Sequence, residues 1–108
     1  MKRLLSCLTL IAACSAPARA ADDTTQAIEA LGKVNGIALA CQQPALSSRA
    51  RNAVQTGAPK TRAYGEAFEN ATSAAFLAQG KGVCPGANEL SAQLSEAEAA
   101  LAKAFPSR

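Results

Sequence analysis

The chain has no histidine and no tryptophan, and its 108 residues include one tyrosine, three phenylalanines and one methionine. Without histidine there is no histidine metal site, no Ser-His-Asp or Cys-His nucleophile pair, and no haem attachment through C-x-x-C-H. The usual pH sensor near neutrality is missing as well. No stretch alternates valine, isoleucine or threonine with polar residues, so no strand is predicted. Gly80-Lys81-Gly82 lacks the G-x-x-x-x-G-K-S/T spacing of a phosphate loop. The ionisable residues present, for example Glu66 and Glu69, have no partner base or second carboxylate at a meaningful spacing. The expectation is a protein that is not an enzyme and that needs no cofactor or metal.

Apolar residues make up 49% of the chain, much of that share alanine, and the aromatics are only Tyr64, Phe68, Phe76 and Phe105. Such a core buries little area per residue. A chain of this length allows one domain, and so small a domain is marginal on its core alone, which favours a covalent staple.

The formal net charge of +3 comes from the first 20 residues, which hold Lys2, Arg3 and Arg19 and no acid. Residues 21–108 balance, with eight basic and eight acidic side chains. The basic balance therefore describes the leading segment and gives no support to a nucleic-acid surface. That segment has the form of an export signal. Met1-Lys2-Arg3 is a basic start, Leu4 to Ala13 an apolar run, and Ala18-Arg19-Ala20 a small-x-small cleavage pattern before Ala21. The run is too short to span a bilayer. Residues 1–20 are read as a cleaved signal peptide and residues 21–108 as one small periplasmic or secreted helical domain with no transmembrane helix. A rival lies in the same stretch. Ile11-Ala12-Ala13-Cys14 resembles the bacterial lipobox, which would make Cys14 a lipidated anchor on an envelope accessory protein.

After the signal, four helices are predicted, an all-α bundle. Asp22 to Thr25 offers N-cap residues, followed by a stripe of Ala27, Ile28, Leu31, Val34, Ala38 and Cys41, the last ending the helix. Gly32 and Gly36, four apart, imply close backbone packing or a break. Pro44 opens a second helix with Leu46, Ala50, Ala53 and Val54 on its apolar side, and Gly57 and Pro59 stop it. Thr61 is positioned to cap a third helix. There Tyr64, Phe68, Thr72 and Phe76 recur every four residues, flanked by Ala71, Ala75 and Leu77. Gly80 is a C-cap candidate. Asn88 is the expected cap of the fourth helix, whose stripe is Leu90, Leu94, Ala97, Leu101 and Ala104.

Two cysteines, Cys41 and Cys84, lie outside the signal. In an oxidising compartment such a pair is expected to form a disulfide, here tying the first helix to the last hairpin. They lack the C-x-x-C spacing of redox motifs and the further ligands of a zinc site.

Two surfaces are candidates for binding an unknown protein partner. Arg49, Arg51, Lys60 and Arg62 fall close together with no acid among them. They are either a solvated helix face or a docking patch for an acidic partner or anionic lipid. Nucleic acid fits poorly, since no aromatics interleave them. The Tyr64, Phe68, Phe76 face is either a binding face or, with so few large apolar residues available, the main core. The lone wide-spaced cysteine pair is similar to that of small periplasmic acid-stress chaperones, although their local motifs are absent. Ala100 to Pro106 is similar to the ending of type VI secretion amidase immunity proteins, whose other cysteines are missing here. The chain is assigned to neither group. A chaperone-like or toxin-immunity role stands as an alternative to a general interaction protein.

Overall fold

The computed structural model describes residues 20–106. All of the proposed signal segment but Ala20, Cys14 included, therefore lies outside the described residues. Four helices follow in order: α1 (Ala20–Ala40), α2 (Pro44–Gly57), α3 (Arg62–Gln79) and α4 (Ala87–Ala104). There is no strand among the described residues. This is the small all-α bundle expected, with a Cys41–Cys84 disulfide across Cα atoms 5.8 Å apart.

α1 is the central helix and packs against each of the other three. Its stripe of Ala27, Ile28, Leu31, Val34 and Ala38 is buried, joined in one core by Ala50 of α2, Phe68 of α3, and Leu90, Leu94, Ala97 and Leu101 of α4. Burying a leucine or isoleucine contributes roughly 1.5–3 kcal/mol. The four largest fully buried side chains, Ile28, Leu31, Leu90 and Leu94, all belong to α1 and α4. α2 also touches α4, whereas α3 packs on α1 alone among the helices. The arrangement is a three-helix core of α1, α2 and α4, with α3 laid along the other side of α1.

Glycine sets that last contact. α1 continues without a break through Gly32 and Gly36, and both face α3. A methyl group on Gly32 would lie 2.6 Å from the Phe68 carbonyl oxygen, and one on Gly36 would collide with the Thr72 carbonyl oxygen. The two backbones thus approach more closely than any side chain would permit. Thr24 pairs with Tyr64 and Gly32 with Thr72, so α1 and α3 run parallel.

Local chemistry fixes the ends. α1 stops with Gln42 at φ 59°, its N–H donating to the Leu39 carbonyl at 3.3 Å while Gln43 N–H donates to the Ala38 carbonyl at 2.8 Å. This is a Schellman ending with glutamine where glycine is usual. Pro44 occupies the first turn of α2. Thr61 caps α3, its hydroxyl accepting from Tyr64 N–H at 3.1 Å, and Gly80 closes it at φ 47°. Two expectations are corrected. Asn88 is not the cap of α4: Gly86 is, in extended backbone and without a side-chain bond. Asp23 to Thr25 sit inside α1 rather than before it, because the helix already begins at Ala20.

Candidate functional site

The basic cluster does not form one patch. Arg49, on α2, turns to α4 and binds Glu98 through two hydrogen bonds, Nε to Oε2 at 2.9 Å and Nη2 to Oε1 at 2.8 Å. A third bond runs from Nη2 to the Ser95 hydroxyl at 3.0 Å. The hydrogen bond to Glu98 raises the Arg49 pKa above its ordinary value; desolvation opposes this and the carboxylate charge adds to it. Arg62 approaches Glu66 one turn on, at 3.9 Å, and both are well exposed. Lys60 donates to the Gln55 carbonyl at 3.3 Å. Arg51 is exposed. The stretch is acid-free in sequence, but folding brings Glu98 onto its first arginine.

The aromatic face is divided too. Phe68 is buried beneath α1. Tyr64 is half-buried, its hydroxyl donating to Thr24 Oγ1 at 3.1 Å and its ring meeting Phe105 edge-on with centroids 5.3 Å apart. Both belong to the packed interior. Phe76, expected in the core, is 45% exposed, because it meets α1 at Gly36 through its backbone.

Several shallow grooves run between the helices. The one between α1 and α3, about 570 Å³, is lined mainly by alanines, with Glu29 and Lys33 at its edge. Another, between the ends of α2 and α4, is about 770 Å³, and its one acid, Glu98, is already engaged by Arg49. In neither do two carboxylates converge. Among the described residues, no group of three or more His, Cys, Asp or Glu side chains is placed to hold a metal ion.

The disulfide end of the molecule is different. Leu39, Phe76, Leu77 and Val83 are the exposed large hydrophobic residues among those described, at 43%, 45%, 75% and 96% exposure. Leu39 stands at the end of α1, Phe76 and Leu77 at the end of α3, and Val83 in the loop beside Cys84. Since α1 and α3 run parallel, these ends lie together, and the Cys41–Cys84 bridge ties the loop to them. The Gln79 side-chain amide braces the loop by donating to the Gly82 carbonyl at 3.4 Å and the Val83 carbonyl at 3.1 Å.

This end carries few charges, Lys81 in the loop and exposed Glu89 in the first turn of α4. Residues 34–48 hold no ionisable acid or base, and residues 70–88 hold only Lys81 besides the bridged cysteine. Periodicity reveals only part of this apolar end: Phe76 lies on the predicted α3 stripe and Leu77 flanks it, whereas Leu39 and Val83 fall on none.

No family model, curated protein or solved structure matches this chain.

Proposed function

We propose that this is an exported, non-catalytic interaction module whose working surface is its disulfide end. The observation that carries the reading is the placing of the exposed Leu39, Phe76, Leu77 and Val83 at one end of a domain otherwise short of large apolar residues. Soluble monomers scatter exposed apolar side chains singly, and a cluster marks a contact surface. The cystine supports the export half of the reading, since such bridges persist in oxidising compartments. The basic start, apolar run and Ala18-Arg19-Ala20 pattern support it independently.

Two measurements on protein from its native host test this. Intact mass should show a chain starting at Ala21 that gains two hydrogens on reduction. A start at an acylated Cys14 would replace the free periplasmic protein with an anchored one. A photo-reactive residue at Leu77 should give a cross-linked adduct in the intact envelope, and one at exposed Gly65 should not. Equal yields from the two positions would remove the disulfide end as the working surface.

A further inference from the structure

We infer that a second copy of this chain docks on the flank where α3 and α4 border α1, with the two α1 helices antiparallel. Two adjoining grooves make up this flank. One, between α1 and α3, is walled by Ala67, Ala71, Ala74 and Ala78. The other, between α1 and α4, carries Ala30 and Ala100 along its floor. Lys33 borders both. Walls of methyl groups let a second helical surface approach closely. Glu29 and Lys33 of α1, and Glu96 and Lys103 of α4, line the grooves and are exposed. Within the described residues none of these four side chains has an ion pair or hydrogen bond. Arg49 and Arg62, by contrast, already have carboxylates beside them.

The charges are complementary to themselves. A two-fold axis lying in the face and crossing α1 at right angles sets each helix antiparallel on its own copy. For Glu29 to meet the partner's Lys33, the axis must cross α1 at Leu31, midway between the two positions. For Glu96 to meet the partner's Lys103, it must cross α4 between Ala99 and Ala100. Ala30 and Ala100 line the same groove, so the two crossings lie at one level. α3 agrees with them. Ala67 and Ala74 exchange about a point between Asn70 and Ala71, and Ala71 lies against Gly32, next to Leu31. One axis thus forms each ion pair twice and lays alanine on alanine. Of the outlying acids, Asp23 falls beside the partner's Leu39, Glu66 opposite the partner's Ala75, and Glu89 passes the end of the partner's α4, so none stands opposite a like charge. An axis along α1 would instead set Glu29 against Glu29 and Lys33 against Lys33, and such like-charge contacts select against the parallel pairing. The area is sufficient. Helices of 21, 18 and 18 residues, about 27–31 Å long and roughly 8–10 Å apart, offer a face of the order of the 800 Å² that a standard interface takes from each partner. The two disulfide ends then point in opposite directions, and the pair presents one at each pole.

Sedimentation equilibrium on the protein isolated from its native host, and on variants made there, tests the pairing. The parent should dimerise at micromolar concentrations. Glu29→Lys and Lys33→Glu should each weaken the dimer about tenfold, because each removes two exposed pairs and leaves like charges facing one another. The two changes together should restore parental dimerisation, since the pairs re-form with their signs exchanged. Ala74→Arg, at an exposed position on the alanine wall, should give a monomer with unchanged helical circular dichroism. Arg51→Glu, exposed on α2, should leave the dimer intact. A parent that stays monomeric at every concentration overturns the inference. So does a dimer that ignores both single charge changes, or one that the double change fails to restore, since either means a different geometry. A dimer lost in Val83→Asp but untouched by Ala74→Arg overturns it in favour of self-association through the disulfide end. If the parent is monomeric while the Leu77 cross-linker captures a protein, the dimer fails and the interaction module stands.

Discussion

Asn35 and Thr72 are hydrogen-bonded across the α1–α3 contact, Nδ2 donating to Oγ1 at 3.1 Å in a buried setting. The bond is the middle of a chain. Ser47 of α2 donates to Asn35 Oδ1 at 2.6 Å, and the Thr72 hydroxyl donates to the Gly32 carbonyl at 3.2 Å. Three helices are thereby joined through side chains, with no buried side-chain polar atom left unsatisfied among the described residues. Such a network fixes which residues of α2 and α3 face α1, where an alanine-rich apolar contact alone would permit sliding.

Breaking the network should therefore cost more than losing one hydrogen bond. Thr72→Val keeps the shape, removes the hydroxyl and strands the buried Asn35 amide. The expected loss is about 1–3 kcal/mol. Thr72→Ser retains the hydroxyl and should lose less. Exposed Ser73→Ala should stay within about 0.5 kcal/mol of the parent. Urea unfolding of the three variants decides it, and equal losses for Thr72→Val and Thr72→Ser would show that the hydroxyl does not matter.

One substitution should have opposite signs at two glycines. Glycine to alanine inside a helix ordinarily gains about 1 kcal/mol. Gly65→Ala should realise most of that, since the added methyl meets nothing within 4 Å. At Gly36 the methyl would collide with the Thr72 carbonyl oxygen and lie 2.8 Å from both Ala75 Cβ and Phe76 N. Backbone cannot move aside as a flexible side chain can. Overpacking of this kind costs roughly 1–3 kcal/mol, enough to cancel the propensity gain. Thermal melts should rank Gly65→Ala above the parent and Gly36→Ala below it. A stabilised Gly36→Ala would contradict the close α1–α3 packing.

These two contacts show how far the sequence could be read. Leu90, Leu94, Ala97 and Leu101 repeat at helical spacing, and all four are buried, so the α4 stripe was legible. Thr61 and Gly80 act through their own local chemistry, so the ends of α3 were legible too. The ending of α1 was less so, because Gln42 adopts a positive φ usually left to glycine. Gly86 takes the cap position expected of Asn88, and its extended backbone gives no side-chain signal. The least legible features are those between elements. Periodicity says that Tyr64, Phe68 and Phe76 share a face of α3. It does not say that α1 covers the first two and leaves the third open. Nor could spacing pair Arg49 with Glu98, a contact made by folding across 49 positions.

That ion pair permits a quantitative prediction. A bidentate arginine–carboxylate pair has favourable geometry, but the Arg49 and Glu98 side chains remain 40% and 31% exposed. Solvent screening then limits the coupling to about 0.5–1 kcal/mol in a double-mutant cycle of Arg49→Ala with Glu98→Ala. The Arg62–Glu66 pair, longer and more exposed, should couple by less than about 0.5 kcal/mol. Arg51→Ala should scarcely affect stability. The consequence for function is that loss of binding on charge reversal at Arg49 would reflect a disturbed α2–α4 contact. Arg51 and Arg62 are the positions at which reversal tests a basic docking surface.

The disulfide should matter most to stability and least to the shape of the core. Cys41 and Cys84 are 43 positions apart, and closing such a loop stabilises by about 4 kcal/mol in the chain-entropy model. A domain this small has only a few kcal/mol to lose. Cys41→Ser with Cys84→Ser should therefore bring the urea midpoint down by most of its range. The folded fraction that remains should keep its helical circular dichroism, because the α1–α2–α4 core lies apart from the bridge. Hydrogen exchange should find the change where the bridge acts alone. α3 packs on α1 and on no other helix, and after Phe76, which meets Gly36, its last turn leads into the loop that the bridge holds. Amides from Phe76 to Gly86 should thus lose protection before those of α4. A double serine variant as stable as the parent would mean that the α1–α3 backbone contact and its buried hydrogen bonds suffice without the covalent link.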